Sequence, residues 1–183
     1  MSASYVALLR GINVGGKNLI RMADLRGCFE THGFEGVSTY IQSGNVLFRS
    51  DAKDPAGLAP RIADVLAKTF RYSASVTVRS REGLQATVDG APGGFGSEPD
   101  LYRYDVIFLM PPLTSDEALR TVPVREGVDT AHAGPAALYF SRLAERASES
   151  RLARLVSMPI YRRVTIRNWN TTTKLLSLMD EVD

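Results

Sequence analysis

The sequence predicts an α+β protein, a tandem duplication of a ferredoxin-like (split β-α-β) unit with an extra helix after each copy. Three observations carry this expectation. Apolar runs of strand length alternate with stretches of helical spacing. A segment with three glycines and two prolines, residues 91–100, interrupts the pattern. On each side of it the order is strand, helix, strand, strand, helix, strand, helix. The expected units are 1–90 and 103–183, joined by a connection over 91–102.

Residues 5–9 form the first strand, apolar on both parities, as in a central strand covered on both faces. Met22, Leu25, Phe29 and His32 give helical spacing, and Gly33 ends that helix. Strands at 37–42 and 46–49 flank a tight Ser43-Gly44-Asn45 turn, with Gly44 expected at positive φ. Ile62, Val65, Leu66 and Phe70 give a second helix, with Pro60 placed in its first turn, where a missing N–H costs little. Residues 75–79 are a strand, and Ser80 caps a short helix through Leu84 and Val88.

In the second half, 105–110 is a strand, and Thr114 with Glu117 forms a capping box opening a helix through Leu119 and Val122. Strands at 128–131 and 137–140 flank Gly134-Pro135. Leu152, Leu155 and Val156 mark a helix that stops near Pro159. Residues 164–167 are a strand, and 171–179 a closing helix capped by Asn170 or Thr171.

Composition bounds the chemistry. The chain has 183 residues, 44% hydrophobic and 23% charged, with a net charge of +2. These are the proportions of a globular protein, and the mild basicity neither requires nor excludes a nucleic-acid partner. One cysteine, Cys28, rules out an intrachain disulfide, and two scattered histidines make no zinc site, so neither metal nor cofactor is expected. No apolar run reaches the ~20 residues of a membrane helix, and residues 1–4 open no secretion signal, so a cytoplasmic protein without membrane contact is expected.

The loop Arg10-Gly11-Ile12-Asn13-Val14-Gly15-Gly16-Lys17-Asn18 follows the first strand. Residues 11–17 fit the G-x-x-x-x-G-K pattern of a phosphate loop. Yet Asn18 stands where magnesium needs a hydroxyl, and the helix starts about four residues later. No apolar strand ends in an acidic metal anchor. A nucleotide triphosphatase is therefore not the expectation. An anion site is, with Arg10 and Lys17 as cations, Asn13 and Asn18 as amide donors, and Gly15 and Gly16 allowing close approach. The alternative is an ordinary glycine-rich connection with solvated charges.

The segment Arg167-Asn168-Trp169-Asn170 leading to Lys174 repeats the spacing of Arg10, Asn13 and Lys17. Both segments stand at a strand exit, and they are expected to converge on one anion. Trp169, the only tryptophan, reads either as a core residue or as a platform for a base.

With these segments and Thr39-Tyr40-Ile41-Gln42-Ser43-Gly44-Asn45-Val46 in this order, the chain resembles the bacterial family named domain of unknown function 1697. The resemblance spans nearly the whole chain and is weakest over 114–163. It implies a two-part α+β architecture and no assigned activity. It points to Arg10, Gly11, Asn13, Gly15, Gly16, Lys17 and Asn18; to Tyr40, Gln42, Ser43, Gly44 and Asn45; and to Asn168, Trp169, Asn170 and Lys174.

Three functions fit. The first is a binding module for a phosphate-bearing or nucleotide-like ligand, extending to RNA, although no RNA-recognition signature lies on a central strand. The second is a transferase holding phosphate with Arg10 and Lys17. No G-x-S-x-G or Cys-His pair is present, and Ser43 lacks an identifiable base, so no catalytic residue is assigned. The third is an assembly protein without a small ligand. The binding module is the leading expectation; ligand identity and oligomeric state are left open.

Overall fold

The computed structural model describes residues 2–42, 44–52 and 55–181. Ser43 lies outside the described residues. The chain is a mixed α/β protein with two four-stranded antiparallel sheets. It divides into two compact units, Met1–Leu84 with Leu175–Asp183, and Gln85–Lys174.

The first unit opens with β1 (Ala3–Arg10), α1 (Met22–Thr31), β2 (Glu35–Tyr40) and β3 (Asn45–Ser50). It continues with α2 (Pro55–Phe70) and β4 (Ser75–Ser80), and the unit boundary then falls within α3 (Arg81–Asp89). The strand order is β2-β3-β1-β4, which makes β1 central. The period of two sends Tyr5, Ala7 and Leu9 to the face covered by α1 and α2. There they join Val46, Phe48, Val76 and Val78, and Phe48 packs 4.9 Å from Phe34 and 5.6 Å from Phe29. Val6 and Leu8, on the other parity, are also buried, as the double-sided apolar pattern requires.

Pro60 departs from expectation. Helix α2 begins at Pro55, so Pro60 stands inside the helix, beyond its first turn. The buried stripe of Leu58, Ile62, Val65 and Leu66 explains why: it starts at Leu58, two residues before Pro60, and burying Leu58 draws the helix back to include it. Ser80 caps α3 as its sequence suggests, accepting the Gly83 N–H at 3.1 Å.

The second unit contains β5 (Tyr102–Leu109), α4 (Ser115–Thr121), β6 (Asp129–Gly134), β7 (Ala137–Leu143), β8 (Val164–Asn168) and the start of α5 (Trp169–Asp180). The strand order, β6-β7-β5-β8, is again that of the first unit. Thr114 and Glu117 form the full capping box. Ile107, Leu109, Leu138, Phe140 and Val164 build the core against Ala118, Leu155 and Ile160.

Two expectations fail here. The helix expected around Leu152 is instead a series of 3₁₀ turns, Ala147–Glu149, Leu152–Ser157 and Pro159–Arg163. Leu152 and Leu155 are buried at a spacing of three, which a 3₁₀ turn eclipses onto one side, whereas Val156, which an α-helix would add to the stripe, is 59% exposed. The closing helix also starts earlier than 171. Asn168, and not Asn170 or Thr171, is its cap: the side-chain oxygen of Asn168 accepts the Thr171 N–H at 2.7 Å. Among the described residues no helix is long and apolar enough to cross a membrane.

Candidate ligand-binding cleft

The 10–18 loop is a small self-bonded structure. Val14 and Lys17 bridge across Gly15-Gly16, whose φ values of 59° and 73° are the paired positive angles of a I′ turn. Asn13, at φ 52°, is the loop's internal strut. Its side-chain oxygen accepts the Ile20 N–H at 2.8 Å, and its amide nitrogen donates to the Ile20 and Gln42 carbonyls, each at 3.0 Å. Asn18 donates to the Gly11 carbonyl at 3.0 Å. Both amides offered as anion donors therefore hold the loop's own backbone. Lys17 is exposed at the turn, and the Arg10 carbonyl accepts the Tyr72 hydroxyl at 2.6 Å.

The neighbouring hairpin is structural in the same way. Asn45 is fully buried and donates to the Tyr40 carbonyl at 2.9 Å, so it is not available to a ligand. Gly44, at φ 84°, accepts the Leu9 N–H through its carbonyl, and a Cβ there would lie 2.8 Å from Ile12 Cδ1 and 2.9 Å from Leu9 Cβ. Tyr40 is half-buried and Gln42 exposed. The structure does bring Asn13 and Gln42 together: with Leu19, Arg21 and Met22 they line a hollow of about 320 Å³. Since the Asn13 amide is occupied, that hollow offers apolar wall, the Arg21 guanidinium and the exposed Gln42 side chain.

The second unit holds a cleft of different character, about 290 Å³. It exists because β5 outruns β8. Pairing between them ends at Asp105 opposite Asn168, so on that side residues 102–104 of β5 form an open edge. The chain turns at Asn168 into α5, whose first residues, Trp169 and Asn170, make one wall. Tyr102, Arg103, Tyr104 and Asp105 make the other, Arg142 of β7 joins the lining, and Gly96 and Pro99 of the 91–101 connection close one end.

Local packing fixes the indole. Phe95 stands edge-on to Trp169 at 5.1 Å and to Tyr104 at 4.9 Å. Gly96 lies against the Cδ1–Nε1 edge of the ring, where any Cβ would collide with those Trp169 atoms. Trp169 is thus neither a plain core residue nor a free one, but a braced ring with part of its surface in a cleft.

The electrostatics centre on Asp105, only 9% exposed. Its Oδ2 faces Arg142 Nη2 at 3.4 Å but makes no hydrogen bond, and Arg142 Nε is likewise buried without one. Burial pushes the Asp105 carboxyl up from its ordinary value, with the Arg142 charge opposing. Buried polar atoms in folded proteins are normally satisfied, so this pair, like the Nε atoms of Arg10, Arg49 and Arg79 and the Oδ1 atom of Asp129 elsewhere, holds hydrogen-bonding capacity that the protein's own groups leave unused.

Of the sequence-derived residues, Asn168, Trp169 and Asn170 line this cleft, and Arg167 and Lys174 do not. Lys174 is exposed on α5. Arg167 donates to the Ile166 carbonyl at 2.9 Å, and burial lowers its guanidinium to about 10. The spacing shared by Arg10–Asn13–Lys17 and Arg167–Asn170–Lys174 is no structural repeat, since Asn13 sits in a loop at positive φ and Asn170 in the first turn of a helix. The register position of Arg167 is matched instead by that of Arg79. Arg79 pairs with Val6 and Arg167 with Val106, each on its central strand. Arg79 donates to the Val78 carbonyl at 2.9 Å, burial lowers it too to about 10, and a capping residue follows each arginine. Asp105 and Arg142 were not singled out in the sequence, where each reads as an ordinary strand charge. No group of three or more His, Cys, Asp or Glu among the described residues could hold a metal ion.

The family described as protein of unknown function (DUF1697) matches residues 2–139. Asp105 falls inside that range, and Arg142 and residues 167–174 fall beyond it. Among solved structures, the chain is similar to conserved bacterial protein SP0830 from Streptococcus pneumoniae, at 30% identity and a TM-score of 0.84, over 98% of this chain and 99% of that one. No curated protein matches the chain.

Proposed function

The chain belongs to the DUF1697 family of proteins of unknown function, and from that premise we propose that it is a binding module for a phosphate-bearing, nucleotide-like ligand seated in the cleft of the second unit. The carrying observation is the cleft itself: a braced indole, two guanidinium groups and an under-bonded carboxylate along one open strand edge. Trp169 offers a ring surface for a base. Arg103, whose Nη1 also donates to the Pro99 carbonyl at 3.0 Å, and Arg142, whose Nη2 faces Asp105, offer their remaining terminal N–H groups to phosphate oxygens. Asn170 adds an exposed amide. The volume, about 290 Å³, is at the lower end of the range of small-ligand pockets.

The first unit supports this assignment by contrast. We read each unit as a ferredoxin-like fold, the pair arising by duplication; the identical strand orders and the matched Arg79 and Arg167 support that reading. In that frame Tyr5 occupies the register position of Asp105, opposite Ser80 as Asp105 is opposite Asn168. The Tyr5 hydroxyl donates to the Ala52 carbonyl, and its ring packs on Phe48. The same frame folds with that place filled and satisfied, so the open carboxylate and indole of the second unit are not demanded by the fold.

A thermal-shift series with nucleoside monophosphates tests the proposal. A ligand that binds only the folded state at a hundredfold excess over its Kd stabilises it by about 2.7 kcal/mol. AMP or CMP is expected to raise the melting temperature by several degrees, and Arg103→Ala and Asn170→Ala, both at exposed positions, to remove most of that rise. No shift with any nucleotide, or an equal shift in both variants, overturns the assignment.

A further inference from the structure

We infer that Asp105 selects the ring that enters the cleft, favouring a base with an exocyclic amino group over its keto counterpart; this rests on the nucleotide reading above. Among the residues lining the cleft Asp105 is the only acidic one. Its neighbours there are rich in donors: Arg103 and Arg142 donate and cannot accept, the Trp169 indole only donates, and the Asn168 oxygen is already committed to the Thr171 N–H at 2.7 Å. An ionised carboxylate only accepts.

The fold leaves this acceptor underused. Asp105 lies on the central strand at 9% exposure, and its one charged partner, Arg142, approaches to 3.4 Å without hydrogen-bond geometry. Oδ2 is sealed from solvent beside Arg142, so the proposed contact is to the other carboxylate oxygen: an amino group on a bound ring would donate to it as a charge-assisted hydrogen bond in a poorly solvated place. A keto oxygen at the same spot would set its lone pairs against the carboxylate and strip water from both. Sites built around a hydrogen bond reject analogues that cannot make it far more strongly than apolar pockets reject a change of size.

Calorimetric titration of the full chain with two isosteric pairs tests this: AMP against IMP, and CMP against UMP, with ribose 5-phosphate as the phosphate-only probe. AMP and CMP are expected to bind at least about tenfold more tightly than their keto partners, a difference of about 1.4 kcal/mol. Asp105→Asn, whose amide can donate as well as accept, is expected to bring each ratio close to one, with AMP and CMP weakened toward the affinity of their keto partners. The wild-type ratio needs no variant, so it stands even if Asp105→Asn folds poorly. Equal affinity within each pair for the wild type, or ratios unchanged in Asp105→Asn, overturns the role of Asp105 and leaves the nucleotide site in place. Binding of none of the four nucleotides removes the site reading and this inference with it.

Discussion

Asp105 and Arg142 are diagonal neighbours on one sheet face, with Asp105 in register with Phe140 and Arg142 in register with Arg103, and their charges meet at 3.4 Å without a hydrogen bond. Direct opposition of Arg103 and Arg142 places like charges across the strand pair, an arrangement that costs stability by itself. A ligand phosphate or the Asp105 carboxylate offsets that cost. The arrangement trades stability for an open site.

The first prediction follows from that trade. Burial raises the Asp105 carboxyl above its ordinary 3.8, so protonation is favoured more in the folded state than in the unfolded chain. Its contribution is therefore fully present below pH 3.8 and is lost as pH rises through the elevated folded value. Asp105→Asn, which stays neutral, should melt a few degrees above wild type at pH 7, with the difference shrinking toward zero as pH falls to 4. Melting curves of both proteins across that range check it; a variant that melts lower at pH 7 contradicts it.

Asn168→Ala should cost about 1 kcal/mol, the usual worth of a helix cap, and Ser80→Ala a similar amount. Urea titrations read both. Loss of neither would show that the two matched caps do not anchor their helices.

Asn13→Ala should destabilise by about 2–3 kcal/mol, since three hydrogen bonds of roughly 1 kcal/mol each hold the loop to Ile20 and Gln42. Lys17→Ala, at the exposed turn, should stay within about 0.5 kcal/mol of wild type. The reverse order of these two effects would return the loop to the role of a cation-based site.

Gly44→Ala combines φ 84° with contacts of 2.8 and 2.9 Å to Ile12 and Leu9. Left-handed strain alone costs about 1–2 kcal/mol, and overpacking adds about 1–3. Denaturant midpoints should fall accordingly; an unchanged midpoint would mean that the turn relaxes without cost.

Features set by near neighbours in sequence were legible before the fold was known. The Thr114–Glu117 box, the Ser80 cap and the helical stripe of Met22, Leu25 and Phe29 all depend on residues within about two turns of one another. Leu152 and Leu155 were ambiguous, because a spacing of three serves a 3₁₀ turn as well as an α-helix. The cap at Asn168 was hidden because Asn170 and Thr171, two and three positions later, are capping residue types as well. Trp169, Asn168 and Asn170 were found at the sequence level by motif. Asp105 could not be, because its meaning depends on where β8 stops, and on a guanidinium 37 positions along the chain at Arg142. Asn13 was read as a donor to an anion because its amide is polar and near glycines; only the loop's three-dimensional closure shows that the amide serves the backbone.

The most direct test of the cleft is the indole N–H resonance of Trp169, the one such signal the chain can give in a ¹⁵N-correlated spectrum. Titration with AMP and CMP should move that peak progressively and saturably, while the Lys17→Ala variant gives the same shift and Arg103→Ala a much weaker one. An indole peak that stays in place through millimolar nucleotide, while any other part of the chain responds, would contradict the assignment of the ligand to this cleft.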